Sequence, residues 1–336
     1  MKVIRRISSI IIGSVFFVAG LLKLMDPVGA GLVVTEYYHF FHLGFLDFSA
    51  FFAAEALSLF ETVLGAALVT GICRRISGIV SAVTLALFTI VTLILLIANP
   101  NMDCGCFGQA LHLSHLQSFL KNVVLCLLWV LAFVPFVHDE PRKLKYVGFA
   151  AASLSAVAFM VYSLFNLPLA DFTPFAPGAE LAGEYAEISE NSPVLSFSDA
   201  SGNYADSLAL APQVLVVSVY SPYKLENKNE IRINSIMETA QHMGIPALRL
   251  VAEPSIDSYL ADRRMLMSLN RANGGITYLA DGQVVAKWTP RSFPSSEELS
   301  SLMSKDPIEA LMEYKTPRRL KLQGFLLYSF AVMLLL

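Results

Sequence analysis

Two cysteines one residue apart, Cys104 and Cys106, sit in the segment Asp103-Cys104-Gly105-Cys106-Phe107-Gly108. A Cys-Gly-Cys pair can close a tight disulfide ring, and Gly105 relieves part of its steric cost because it has no Cβ. Such a ring is strained, and strained bridges exchange readily with other thiols. The pair therefore suits thiol exchange and electron transfer better than structural stapling. His112 and His115 follow it and complete a Cys-x-Cys-x5-His-x2-His pattern, a ligand set that would suit copper or zinc. That spacing is no standard zinc finger, so redox exchange is the favoured reading and no metal is assigned. A purely structural pair is the third possibility.

The elements that must hold this loop are apolar. Hydrophobic residues make up 55% of the 336 residues and charged ones 15%, against about 25% charged in soluble domains. Mean hydropathy is +0.58. The excess lies in blocks long enough to cross a bilayer, which takes about 20 apolar residues. The runs are Ile7–Met25, Phe51–Thr70, Ile76–Ala98, Phe119–Val137 and Tyr146–Leu167, with Phe325–Leu336 as a sixth. The first follows Arg5 and Arg6 as a secretory leader would, but its core is too long and no small-residue cleavage site follows. It is read as a retained helix. The last run is short for a span and reads as a short helix, a re-entrant one or, by preference, a truncated span. Residues 166–317 have the composition of a soluble domain. A net charge of −3 gives no indication of nucleic-acid binding, and the partner expected from composition is the lipid bilayer.

Basic residues orient short loops. Lys2, Arg5 and Arg6 flank the first span, Arg74 and Arg75 follow the second, and Arg142, Lys143 and Lys145 follow the fourth. Neither Asp26–Phe52 nor Asn99–Leu120 contains Lys or Arg. The N-terminus is thus expected in the cytoplasm of a bacterial inner membrane, with the cysteine loop and the soluble domain in the oxidising periplasm. Arg318, Arg319 and Lys321 stand on the other side of this pattern, which long translocated domains tolerate. Cys73 falls at the cytoplasmic end. Cys126 lies about two turns into the fourth span, a position from which Cys106 could be reached. Both read first as small apolar filler.

An ionisable residue inside a bilayer is a functional hypothesis by default. Glu61 lies deep in the second span and is expected to face the bundle, either in a polar contact or as a proton relay. Glu55, about 600° of helical rotation earlier, reads as an interfacial residue near the outer boundary. Lys23 closes the first helix near the outer surface. Tyr37-Tyr38-His39-Phe40-Phe41-His42 reads as an interfacial aromatic belt, or as the rim of a quinone pocket.

Several of these segments carry a resemblance. Gly13-Ser14-Val15-Phe16-Phe17-Val18-Ala19-Gly20-Leu21-Leu22-Lys23-Leu24-Met25-Asp26-Pro27 resembles the first-helix signature of DoxX-like membrane proteins. Glu61-Thr62-Val63-Leu64-Gly65, with Gly71 and Arg74-Arg75, looks like their second helix. The Asp103–Gly108 loop, running into Leu116 and Lys121-Asn122, is similar to the MauE branch of that group. The resemblance covers residues 5 to about 137. It implies a four-helix membrane module and, by analogy, thiol or quinone-linked redox chemistry at Cys104 and Cys106, with quinone as electron acceptor and a periplasmic thiol or disulfide protein as partner.

Beyond a linker marked by Pro168, Pro174, Pro177 and Gly178, strand runs at Val194–Ser198, Val214–Tyr220 and Ala247–Ala252 alternate with a helix over about Glu230–Met243. A further helix is expected within Ser255–Asn270. Gly275–Leu279 and Val284–Trp288 flank Asp281-Gly282, a strong hairpin signal, and Ser296–Met303 closes the domain. The order resembles thioredoxin over roughly 190–305. Where thioredoxin carries its cysteines this chain reads Ser221-Pro222-Tyr223-Lys224-Leu225-Glu226-Asn227, and Gly274-Gly275 replaces the usual proline. No cysteine follows Leu167, so this domain cannot itself exchange disulfides.

The expectation is therefore an α-helical membrane bundle, with a four-helix DoxX/MauE-like core and additional spans, joined to an α/β thioredoxin-like extramembrane domain. Residues 1–140 form the four-helix part and 141–170 a fifth helix and linker. The outer domain occupies 171–316, and 317–336 is a C-terminal transmembrane segment, read as truncated. The protein's expected role is redox chemistry through Cys104, Cys106 and Glu61. A non-enzymatic scaffold that holds a partner complex, and a metal-handling protein, are the alternatives.

Overall fold

The structure, a computed structural model, describes residues 2–134, 143–165, 170–182 and 192–335. The ends of three expected spans (135–137, 166–167 and 336), Arg142 and Pro168 lie outside the described residues. The chain divides into two compact units, 1–170 with 322–336, and 171–321.

The first unit is helical. α1 (Lys2–Met25) ends at Asp26, whose side chain accepts from Gly29 N while Pro27 opens α2 (Pro27–Phe40). A 3-10 turn, Gly44–Ser49, leads into α3 (Ala50–Thr70), and α4 (Arg74–Ala98) follows. The short strand β1 (Cys106–Gln109) precedes α5 (His115–Phe133), which a reciprocal Ser114–Gln117 capping box begins. α6 (Lys143–Phe165) completes the series. Among the described residues five stretches are long and apolar enough to cross a membrane: Lys2–Met25, Gly44–Thr70, Arg74–Ala98, His115–Phe133 and Lys145–Phe165. These match the five expected spans, each helix beginning a few residues earlier.

α1 and α3 meet along glycines. A Cβ on Gly65 would lie 2.4 Å from Phe17 N, and one on Gly20 would lie 2.3 Å from Thr62 Oγ1. Small residues permit this approach, the usual way membrane helices gain contact without a hydrophobic drive. Ile12, Phe16, Leu64, Leu68, Leu85 and Leu125 fill the space beside the seam.

α2 was not foreseen. Of the stretch read as an aromatic belt, the residues up to Phe40 are the last turn of a helix, Phe41 caps it, and His39 Nε2 lies 2.7 Å from Asp47 Oδ2.

The second unit is a mixed sheet flanked by helices. Its strands are β2 (Phe197–Ser198), β3 (Val214–Val219), β4 (Ala247–Val251), β5 (Tyr259–Ala261), β6 (Gly275–Ala280) and β7 (Gln283–Trp288). They lie in the order β2-β5-β4-β3-β6-β7. β3 pairs parallel with β4 and antiparallel with β6, and every one of its residues is buried. α7 (Asn227–His242) joins β3 to β4, and α8 (Arg263–Leu269) follows β5. α9 (Ser296–Met303) follows the hairpin, and α10 (Pro307–Leu335) runs on from it. Asp281 and Gly282 both take positive φ, as a tight hairpin turn of the favoured hand requires. The segment expected to hold one helix, Ser255–Asn270, holds β5 as well. Separate apolar clusters cover the sheet, one around Leu215, Val217 and Ile233, the other around Val214, Val216 and Leu266.

Within the first unit the C-terminal residues of α10 meet α6. The Phe325 and Phe159 rings stack at 3.8 Å, and the Tyr328 and Ser155 hydroxyls lie 2.9 Å apart.

Candidate functional site

The cysteine loop is shaped by backbone that glycine tolerates. Asn99 turns left-handed after α4, and Gly105 (φ +62°) does so between the cysteines. A Cβ on Gly105 would lie 2.2 Å from Val33 Cγ1 of α2, so glycine is required there twice over. The loop brings the Cys104 and Cys106 sulfurs to 3.1 Å, both as free thiols. Tyr37 of α2 donates its hydroxyl to the Cys104 carbonyl at 2.7 Å, and its oxygen lies 4.0 Å from Cys104 Sγ. Cys104 is 5% exposed.

The two thiols are electrically unlike. For Cys106 the hydrogen bond from Cys104 is the largest influence; burial opposes it, and Lys121 and Lys23 add to it, so the thiol is pulled well below its ordinary range. Cys104, hydrogen-bonded to Cys106 and desolvated, is pushed up. Burial, and after it the neighbouring thiols, raises the Tyr37 phenol.

Beside the pair stands a buried ion pair. Lys23 Nζ donates to Glu61 Oε1 at 2.8 Å and to Oε2 at 2.6 Å. Both side chains are buried, Glu61 to 1% exposure. Lys23 does lie in the last turn of α1, and its side chain packs beside Gly108 of the cysteine loop. Glu61 faces the bundle, as expected. Glu55, read as an interfacial residue, is 6% exposed, and both of its carboxylate oxygens lack a hydrogen-bond partner.

Thiols and ion pair share the wall of one cavity of about 270 Å³. Phe16, Phe88, Val91 and Leu125 make it predominantly apolar, and Tyr37, Ser58, Thr92, Lys121 and Asn122 give it polar points. Asn122 Nδ2 donates to Thr92 Oγ1 at 3.2 Å. Lys121 Nζ lies 4.9 Å above the Phe107 ring.

The histidines do not join the thiols. His112 Nδ1 lies 2.8 Å from Asp103 Oδ2, and His115 Nε2 lies 3.0 Å from the Pro100 carbonyl. Among the described residues no three His, Cys, Asp or Glu side chains converge as metal ligands would. Cys126 lies 3.5 Å from Thr89 Oγ1 in the helix core, and Cys73 is exposed.

Sequence reasoning named Tyr37 only within an aromatic stretch read as a belt or a pocket rim, and Tyr37 does line the cavity; Lys121 served only as part of a motif. Both lie opposite the cysteine loop, a proximity that only the fold creates.

In the second unit, the Ser221–Asn227 stretch forms a 3-10 turn, Pro222–Lys224, ahead of α7. The Asn273 side chain accepts from the Tyr220 and Ser221 amides and donates to the Ser221 carbonyl, tying this turn to the Gly274-Gly275 bend.

Residues 1–135 match the family model described as methylamine utilisation protein MauE, which covers 135 of the 336 residues. No curated protein and no solved structure matches the chain.

Proposed function

We propose that this is a membrane thiol–quinone oxidoreductase in which Cys104 and Cys106 pass electrons from a periplasmic thiol protein to a quinone. The observation that carries the reading is the shared cavity. A dithiol, an apolar chamber and a buried lysine–carboxylate pair meet among helices apolar enough to span a membrane. At about 270 Å³ the chamber is near the lower bound of small-molecule sites, about 300 Å³. Apolar walls suit a flat quinone ring, and the Asn122 amide and Lys121 ammonium are donors suited to its carbonyl oxygens.

The cycle balances. A partner dithiol reduces the Cys104–Cys106 disulfide by exchange and leaves as a disulfide. The S–S bond between Cys104 and Cys106 then forms again, and the two electrons of the pair with the two protons of the dithiol, one of them released when a thiol ionises, convert quinone to quinol. Glu61, held by Lys23, is positioned beside the thiols to relay a proton.

The finer assignments belong to the same proposal. The alternation of basic loops supports a cytoplasmic N-terminus in a bacterial inner membrane and a periplasmic cysteine loop. The glycine-lined first helix supports kinship with DoxX-like proteins. The sequence β3–α7–β4, then β6–β7–α9, with β3 central, supports a thioredoxin-like outer domain that has lost its cysteines and docks the redox partner.

Alkylation-shift trapping of Cys104 and Cys106 in native membranes tests the reaction. The pair should oxidise when quinone is added and be reduced by a thiol donor. A pair locked in one state under both conditions would sink it.

A further inference from the structure

We infer that Lys121 is a positioning residue that makes Cys106, and not Cys104, the thiolate of the pair and the sulfur that attacks the quinone. This rests on the oxidoreductase reading and assigns the two sulfurs different roles within it.

The surroundings of the sulfurs differ on every side. Cys104 has the Tyr37 hydroxyl from α2 and Ser118 from α5, both neutral. Cys106 receives the Cys104 thiol at 3.1 Å and is influenced by the ammonium groups of Lys121 from α5 and Lys23 from α1. Glu61 of α3 is the anion facing Cys106, and it is bonded through both oxygens to Lys23. α4 contributes Thr92 to the wall and no charge. Lys23 is therefore engaged by a carboxylate, whereas Lys121 lies over the Phe107 ring, next in sequence to Cys106. An aromatic face fixes an ammonium without neutralising it. Lys121 is also within electrostatic reach of Glu61, but the hydrogen bonds of that carboxylate go to Lys23. Lys121 is thus the cation that acts most directly on Cys106, and the Cys104 thiol keeps its proton to donate.

The steps follow. The Cys106 thiolate forms an S–C bond to the quinone ring, and an oxygen of the ring takes the proton that Cys106 gave up on ionising. Cys104 gives up its proton, its sulfur attacks Cys106 Sγ, the S–S bond forms and the S–C bond breaks. The electron pair leaves with the ring, which takes the second proton and departs as quinol.

The test is alkylation of the reduced full-length protein with iodoacetamide across a pH series, with each cysteine followed separately by peptide mass spectrometry. The midpoint pH of reactivity reports ionisation, whereas the plateau rate reports access. In the wild type the Cys106 midpoint should lie below that of Cys104. Lys121→Met should raise it by about 1 pH unit or more, the effect of losing an opposite charge at close range, and Lys121→Arg should leave it near the wild-type position. If the Met variant fails to accumulate, Lys121→Gln gives the same reading. Equal midpoints in the wild type, a lower one at Cys104, or an unchanged Cys106 midpoint in Lys121→Met would overturn the inference. Alkylation needs no quinone. A low Cys106 midpoint in protein that cannot reduce quinone would therefore refute the oxidoreductase reading, and with it the attack on quinone, while the control of Cys106 ionisation by Lys121 would stand. Quinone reduction with Cys104 as the more acidic thiol would refute the role of Lys121 alone.

Discussion

Lys23 with Glu61 in the helical unit, and Lys287 with Asp171 in the sheet unit, are the same chemistry in different surroundings. Each joins an ammonium to a carboxylate at 2.6 Å with both partners largely out of water. Asp171 also accepts from the Thr173 hydroxyl and amide, so that pair fastens the start of the domain to β7 and its bonding capacity is spent internally. The Lys23–Glu61 pair borders a cavity that also holds two thiols. A buried ion pair is thus no functional signal by itself. What it faces decides.

The largest effect that would test this contrast is on rate. Glu61→Gln should lower quinone-dependent thiol oxidation by about 10²-fold or more, the range of a lost proton-transfer group. Asp171→Asn should change stability and leave that rate unchanged. Equal losses of rate in the two variants would erase the distinction.

Next come the costs of orphaned charges. Lys23→Met and Lys287→Met should each destabilise their own unit by about 3–5 kcal/mol, because each strands a buried carboxylate. Removing both partners, as in Lys23→Met with Glu61→Leu or Lys287→Met with Asp171→Leu, should recover most of the loss in thermal unfolding. Only the second double variant should keep quinone reduction.

A smaller effect is steric. Gly65→Ala should cost about 1–3 kcal/mol through the backbone contact at Phe17, read as a lower unfolding midpoint in detergent. A neutral result would mean that the α1–α3 seam is looser than drawn.

The smallest is in pH. Burial alone would raise the Asp171 carboxyl, but Lys287 and Thr173 outweigh it and hold it below its usual value of 3.8. A depressed carboxyl stabilises the fold above its unfolded value and loses that contribution as pH falls through the folded one. The sheet unit should therefore hold its stability down to about pH 4 and lose it in more acid solution. A loss beginning near neutrality would point to other groups.

Much of this was legible in the sequence wherever one signal dominated. Length and hydropathy alone located the five helices, and Asp281-Gly282 located the hairpin. The cysteine loop was found by residue type and spacing. α2 was missed because its aromatic end drew attention from its start, although Asp26 followed by Pro27 is a helix opening of cap and fixed φ. β5 was missed because three residues carry no period. The burial of Glu55 and Lys23 was not foreseen, since position along a helix does not reveal which neighbours cover a side chain. Tyr37 and Lys121 needed tertiary contacts between segments far apart in sequence.

The glycines between α1 and α3 have a metrical consequence. Gly20 meets Thr62 one residue beyond Glu61, and Lys23 lies three residues further along its own helix. With no side chains to act as spacers, the backbones lock at one setting. A slip of one turn, about 5.4 Å, would carry the ammonium beyond reach of both carboxylate oxygens. The seam serves as a ruler, and what it measures is the length of a lysine.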